Sequence, residues 1–238
     1  MSGFMSPRYG KLASLLDKQY LLITWADIAK MVVDLGNKIL SQPPRPNLII
    51  SIARGGVTVG NLVTDHIFGK STSKRNYEII PIRCRTWCNI ENGRPPTDED
   101  FEVLQGLPQG YRDLSDYDVL GIDDVLDTGI TWYQLKRRII DPARPRSFRV
   151  ASLHMKDWSK FEPDFYLEKV PHKWWIFYAW EPVEVTESTL KMLLDRGYEF
   201  SDAAKMLRET FDYIYREFDK TTVEKIFEQA RHHILNET

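Results

Sequence analysis

Val119-Leu120-Gly121-Ile122-Asp123-Asp124-Val125-Leu126-Asp127-Thr128-Gly129-Ile130-Thr131 opens as an apolar strand, delivers three carboxylates and passes through a Thr-Gly-x-Thr turn into a helix. A helix entered in this way presents backbone N–H groups, and the positive end of its dipole, to any anion held at the turn. Gly129 allows the backbone conformation that gathers N–H groups into a nest, and Thr128 and Thr131 add hydroxyl donors. Asp123 and Asp124, adjacent carboxylates beside such a cradle, suit ribose hydroxyls and Mg2+, which takes oxygen ligands and keeps part of its hydration shell. The plainer alternative is an N-capped surface turn with a solvated acidic cluster. Crowding of three carboxylates at one strand end weighs against it, because their repulsion is costly unless a cation or hydroxyl ligand uses them.

The surrounding pattern is that of an α/β chain. Upstream, Thr24 caps a helix predicted to start at Trp25, with Asp27 in its first turn and Ile28, Met31, Val32, Leu35 and Ile39 on one face, ending before Pro43-Pro44. Residues 48–52 read as a buried strand, followed by the Arg54-Gly55-Gly56 turn and a helix over 57–68. A second strand is predicted at 77–85, and the Pro-, Gly- and Asp-rich stretch 89–113 reads as a long mobile loop. Strands at 119–122, 148–153 and 175–178 follow, with a helix over 131–140 after the acidic turn. Alternating strands and helices imply a mainly parallel central sheet flanked by helices. After Pro182 the character changes to amphipathic helices over 186–196, 201–218 and 222–235, with Gly197 stopping the first. The expected organisation is therefore one α/β domain over 1–181, with a loop over about 86–113, and a helical extension over 182–238.

Composition narrows the partners. With 238 residues, 42% of them hydrophobic, and a formal net charge of -2, the chain can bury a full core and shows no basic excess directed at nucleic acid or an anionic membrane. The densest apolar run, Trp174 to Trp180, falls far short of the ~20 residues a membrane span needs. The start of the sequence lacks the pattern of a secretory signal, so the expected location is cytoplasmic. Cys84 and Cys88 make no disulfide framework or zinc site and are expected to be reduced thiols. Gly69-Lys70-Ser71 ends like a Walker A loop, but Thr64 stands where the leading glycine belongs, and no Gly-x-Gly-x-x-Gly follows a strand.

The 119–131 segment resembles the phosphoribosyl pyrophosphate signature of the type I phosphoribosyltransferases, and Ser51-Ile52-Ala53-Arg54-Gly55-Gly56 resembles that family's pyrophosphate loop, whose peptide is often cis and non-proline. The resemblance covers about residues 25–181 and implies the family fold, with a small hood and here a helical C-terminal extension. It implies phosphoribosyl pyrophosphate binding by Arg54, Gly55, Arg83, Arg85, Asp123, Asp124, Asp127, Thr128, Gly129, Ile130 and Thr131. Asp127 is implied as the general base. Thr86-Trp87 stands where many members have Ser-Tyr at the start of a closing loop.

The second half of the chain is similar to the hypoxanthine-guanine and xanthine-guanine branch. Lys156 is implied as the donor to a purine O6, Trp174 and Trp175 as the stacking and edge-contacting pair, and Glu181 as an acid that serves a second Mg2+ through water, beside Asp123 and Asp124 at the first. A lysine aimed at O6 discriminates against adenine, whose amino group is itself a donor. Surface lysine and core tryptophan are the bland readings of the same residues. The expected reaction is Mg2+-dependent transfer of 5-phosphoribosyl to N9 of hypoxanthine, guanine or xanthine, in a homodimer or higher homo-oligomer. The alternative is a regulatory protein that senses phosphoribosyl pyrophosphate or a purine on the same fold. For that, the tail could supply a helix-turn-helix over 190–215, but Asp202 and Glu209 offset Lys205 and Arg208 there. His66, His154, His172, His232 and His233 form no assignable pattern.

Overall fold

Residues 6–69, 77–86 and 101–236 are described by the computed structural model. Trp87, Cys88 and the Lys70-Ser71 pair lie outside the described residues, as does the Thr86 side chain. In chain order the elements are β1 (Lys11–Leu15), β2 (Lys18–Ile23), α1 (Trp25–Leu40), β3 (Leu48–Ile52), α2 (Gly55–Phe68), β4 (Glu78–Thr86) and β5 (Phe101–Gln105). There follow β6 (Asp118–Leu126), α3 (Ile130–Leu135), α4 (Asp141–Ala143), β7 (Ser147–Lys156), β8 (Phe165–Val170) and β9 (Trp174–Tyr178). The last elements are α5 (Pro182–Asp195), α6 (Phe200–Thr210), α7 (Asp212–Tyr215) and α8 (Lys220–Asn236).

These elements group into two units, Lys30–His172 and the pair Met1–Ala29 with Lys173–Thr238. The boundary expected at 181/182 falls inside the second of them.

The Lys30–His172 unit is built on a six-stranded sheet of order β5-β4-β3-β6-β7-β8. All pairings are parallel except β4 with β5. Every residue of β3 is buried, as a central strand covered on both faces requires. Leu48, Ile50 and Ile52 pack with Trp132, Leu135, Ile140 and Ala143 on one face. On the other, Ser51 lies so close to Gly60 of α2 that a Cβ there would meet its Oγ at 2.2 Å. The mainly parallel sheet flanked by helices is thus as expected.

Several boundaries differ. The expected strand 119–122 extends through Leu126, so Asp123 and Asp124 lie inside β6 and only Asp127 lies in the turn. The expected helix 131–140 is a six-residue α3 continued by a π-helical turn at Lys136–Ile140. Residues 101–105, expected as loop, form β5 on the sheet edge; only Phe101 is buried, so the alternation was too weak to read. Edge strand β8 was not predicted, for the same reason: its burial is confined to Phe165 and Val170.

The other unit holds a second, three-stranded sheet of order β1-β2-β9, with β1 and β2 antiparallel and β9 parallel to β2. The strand expected at 175–178 therefore belongs to this sheet and not to the main one. Its β1–β2 hairpin turns at Leu16, which takes φ 54° without the glycine or asparagine that usually marks such a turn, and so escaped detection. Thr24 and Asp27 cap α1 reciprocally: Thr24 N–H donates to Asp27 Oδ2 at 3.1 Å and Asp27 N–H to Thr24 Oγ1 at 3.1 Å.

The helices after Pro182 share a core with the small sheet. Tyr20, Leu22 and Phe177 pack with Val185, Leu190, Leu207, Phe211, Tyr215 and Phe227. The predicted helix 201–218 breaks at Phe211, whose ring sits edge-on to Tyr20 at 4.9 Å and to Phe177 at 5.3 Å. Gly197, at φ 86°, ends α5 as expected: its N–H donates to Leu194 O, and that of Tyr198 to Leu193 O. No described helix is long and apolar enough to cross a membrane.

Candidate active site at the carboxyl ends of β3, β6 and β7

From β3 the chain moves first to β4 on one side and later to β6 on the other, so β3 and β6 flank the point where strand order reverses. In open parallel sheets the crevice beyond the carboxyl ends at such a point binds ligands. Both predicted phosphate segments lie there. Arg54, exposed, precedes α2 at the end of β3, and the Ala53–Arg54 peptide is cis, as the resemblance implies. Asp123 to Thr131 leaves the end of β6, and Lys156 is the last residue of β7.

The glycines of the first turn let it close on the carboxylates of β6. A Cβ at Gly55 would lie 1.9 Å from Asp124 Oδ2, and one at Gly56 2.7 Å from Ile122 O. Asp123 Oδ2 accepts from Trp132 Nε1 at 3.0 Å and its Oδ1 from the Asp124 N–H at 3.1 Å, and its carboxyl also hydrogen-bonds with that of Asp124. The Asp124 Oδ1 accepts from the Val125 N–H at 3.0 Å. Burial, and then the charge of Asp124, hold the Asp123 carboxyl well above the usual carboxylate range. Burial raises Asp124 too, opposed first by its hydrogen bond with the Asp123 carboxyl and last by the charge of Arg54.

Gly129 takes φ 77° at the start of α3, the left-handed geometry expected of the nest. Thr128 Oγ1 faces the Ile130 N–H at 3.4 Å. α3 has only six residues, so its helix dipole is small and the nest of the turn is the main local source of inward-pointing N–H groups. Asp127, exposed, lies in this turn rather than on a helix, and its Oδ1 accepts from Trp158 Nε1 at 2.7 Å.

Lys156 is buried, with Nζ 3.5 Å from His172 O. Burial lowers its pKa, and the charges of Asp127 and Asp157 oppose the shift. Beside it on β7, burial pushes His154 down to about 3. Arg83 and Arg85 are exposed near the end of β4, as the expected strand over 77–85 placed them, facing Gln105 and Glu102 across the β5 pairing. Cys84 between them is a free thiol, pushed up to about 12 by burial.

Trp174 and Trp175 lie on β9 and Glu181 precedes α5, all in the other unit. Trp174 is half-buried, while Trp175 is 52% exposed. Three residues were missed by sequence reasoning: Trp132, Trp158 and His172. For Trp132 a signal existed in Gly121, where a Cβ would meet its ring at 2.4 Å. Trp158, a large aromatic between polar residues, was the other readable sign.

Mg2+ is commonly held through one or two carboxylates together with substrate phosphates. Among the described residues no three His, Cys, Asp or Glu side chains converge as a metal site. Asp123 and Asp124 fit an ion that arrives with a polyphosphate rather than one held wholly by protein.

No protein-family model matches the chain, and no curated protein sequence matches it. Solved structures do. A purine phosphoribosyltransferase from Pyrococcus horikoshii Ot3 is 26% identical over 68% of this chain and 93% of its own, with a TM-score of 0.53. A xanthine-guanine-hypoxanthine phosphoribosyltransferase from Helicobacter pylori is 18% identical over 71% of this chain and 99% of its own, with a TM-score of 0.53. The chain has the type I phosphoribosyltransferase fold. The chain is also similar to a hypothetical protein from Neisseria gonorrhoeae with bound ppGpp, at 21% identity over 69% of this chain and 90% of its own, with a TM-score of 0.53. The resemblance to the type I phosphoribosyltransferases, read from Ser51–Gly56 and Val119–Thr131, is thus borne out in the fold, and purine phosphoribosyltransferases, the branch read from Lys156, Trp174 and Glu181, are among the solved structures it is similar to.

Proposed function

We propose that this chain transfers the 5-phosphoribosyl group of phosphoribosyl pyrophosphate to N9 of a 6-oxopurine, releasing pyrophosphate and a nucleoside monophosphate for purine salvage. The observation that carries this reading is the meeting, at one strand-order reversal, of the Arg54-Gly55 turn, the Asp123-Asp124 carboxylates and the Thr128-Gly129 nest. The likeness to the Pyrococcus purine phosphoribosyltransferase supports it.

On this reading Arg54 and the Gly55 amide hold the pyrophosphate, with Arg83 and Arg85 adding positive charge. The backbone N–H groups of the 128–131 turn hold the 5-phosphate, and Asp123 and Asp124 face the ribose hydroxyls. Asp123 and Asp124 are the residues that would hold a Mg2+ ion, which when bound would supply charge neutralisation for the departing pyrophosphate. As the bond from the anomeric carbon to pyrophosphate lengthens, the carboxylates stabilise positive charge on the ribose without forming a covalent bond. N9 closes the new bond from the opposite face, and Asp127 accepts a proton from the purine at N7. Lys156 donates to O6; its low exposure means that a base unable to accept leaves a buried donor unmatched. The roles of Trp174, Trp175 and Glu181 rest on the resemblance alone. So does a homodimeric state.

The test is pyrophosphate release from phosphoribosyl pyrophosphate and Mg2+ with hypoxanthine, guanine, xanthine, adenine, uracil and orotate in turn, each against a base-free control. Turnover confined to 6-oxopurines supports the reading and ranks them. Turnover with adenine or a pyrimidine alone, or with no base at all, refutes it.

A further inference from the structure

The segment 157–161, between β7 and β8, crosses the turn that follows β6. The Lys160 N–H donates to Thr128 O at 3.0 Å, and a Cβ at Gly129 would lie 2.6 Å from both Phe161 N and Ser159 Oγ. From this segment Trp158, 49% exposed, directs its indole N–H to Asp127 Oδ1 at 2.7 Å. The ring is itself supported. It stacks on His172, with centroids 4.5 Å apart and planes 20° from parallel. Asp157 Oδ1 in turn accepts from the His172 backbone N–H at 2.9 Å and from its ring Nδ1 at 2.8 Å. None of these three side chains has a part in the chemistry described above.

We propose that Trp158 is a positioning residue for Asp127: its indole N–H holds one carboxylate oxygen so that the other is presented to the acceptor's proton, with the His172–Asp157 pair as backing. The inference rests on the reading of Asp127 as general base. A carboxylate has two oxygens with independent lone pairs, so a donor on Oδ1 leaves Oδ2 able to accept. An exposed aspartate without such a partner samples several rotamers, and proton transfer needs one of them held within hydrogen-bond reach. Indole suits the task because it donates and never accepts, so it cannot compete for the proton being moved. Its short contact to a charged acceptor is of the stronger class of hydrogen bond. Ring stacking on His172, anchored at two points by Asp157, fixes the indole without a hydrophobic pocket.

The deciding experiment compares Trp158→Phe, which keeps an aromatic ring for His172 while removing the donor and part of the ring, in the native and Asp127→Asn backgrounds, with the 6-oxopurine turned over fastest. The expected result is a fall in kcat of about tenfold, the scale of a lost hydrogen bond to a charged group. KM for phosphoribosyl pyrophosphate should stay within about twofold, and the effect should vanish in the Asp127→Asn background, where there is no base to position. If Asp127→Asn lowers kcat but Trp158→Phe lowers it by the same factor in both backgrounds, or in neither, the positioning role is wrong and the base reading survives. If Asp127→Asn alone leaves kcat unchanged, the base reading falls and takes this inference with it. A readout independent of turnover is the Trp158 indole N–H resonance, identified by its loss in Trp158→Phe. It should move in Asp127→Asn, and a resonance that stays in place overturns the contact.

Discussion

Replacing Gly55 by alanine would put a methyl carbon 1.9 Å from Asp124 Oδ2 and 2.4 Å from its Cγ, against the 3.4 Å at which ordinary contact begins. Either the carboxylate swings away, giving up the Val125 N–H at 3.0 Å, or the first turn of α2 recedes from β6. Overpacking by one methyl costs about 1–3 kcal/mol, which for a chain of this size lowers Tm by roughly 2–12 °C. The functional loss should be larger. A displaced Asp124 no longer meets the ribose and Mg2+, and losing one charged hydrogen bond is worth about 10- to 150-fold in kcat/KM for phosphoribosyl pyrophosphate. The assay is initial rate against phosphoribosyl pyrophosphate concentration, with thermal unfolding of G55A, D124A and the double variant. Because D124A removes the oxygen that the methyl strikes, G55A should cost much less stability in that background. An equal Tm loss in both backgrounds would refute the steric argument, and G55A with native kcat/KM would refute the role given to Asp124.

Three further outcomes are expected. Lys156→Met should lower kcat/KM for the preferred 6-oxopurine by tenfold or more, roughly the worth of a hydrogen bond from a charged donor, while leaving any residual adenine rate unchanged; equal losses for both bases would remove the discriminating role. Burial holds His154 at about 3 against an unfolded value of 6.5, so the unfolded chain takes up a proton first as pH falls. Stability should therefore drop below pH 6.5, by about 1 kcal/mol at pH 5.5, and denaturant titrations should find that component missing in His154→Asn. Phe211→Ala should cost about 3–5 kcal/mol of unfolding free energy, because Phe211 is fully buried between Tyr20 and Phe177; a loss under 1 kcal/mol would show that the tail helices do not share the core of the small sheet.

Much of the main sheet was legible because its central strands are nearly continuous apolar runs punctuated by glycine turns. Leu48–Ile52 is such a strand, and the turn after it opens α2. The phosphate turn was legible for a related reason: Asp123, Asp124, Thr128 and Gly129 are local in sequence, and their chemistry depends on spacing along one segment. Edge strands β5 and β8 were not, since an edge buries too few residues to impose a period.

What the sequence by itself determined was therefore the parallel α/β core, the turn chemistry at the ends of β3 and β6, and amphipathic helices after Pro182. Only the tertiary structure decided that Trp174–Tyr178 pairs with Lys18–Ile23 in a separate sheet, and that the tail helices complete that sheet's core. Only the tertiary structure, too, could bring Trp158 and His172 to Asp127 and Lys156, or set Asp123 against Trp132 while Asp124 faces Gly55. Periodicity and spacing report which residues share a face of one segment. Pairing between distant segments is set by side-chain packing and by the hydrogen bonds of strand edges, and these leave no mark on either segment read alone.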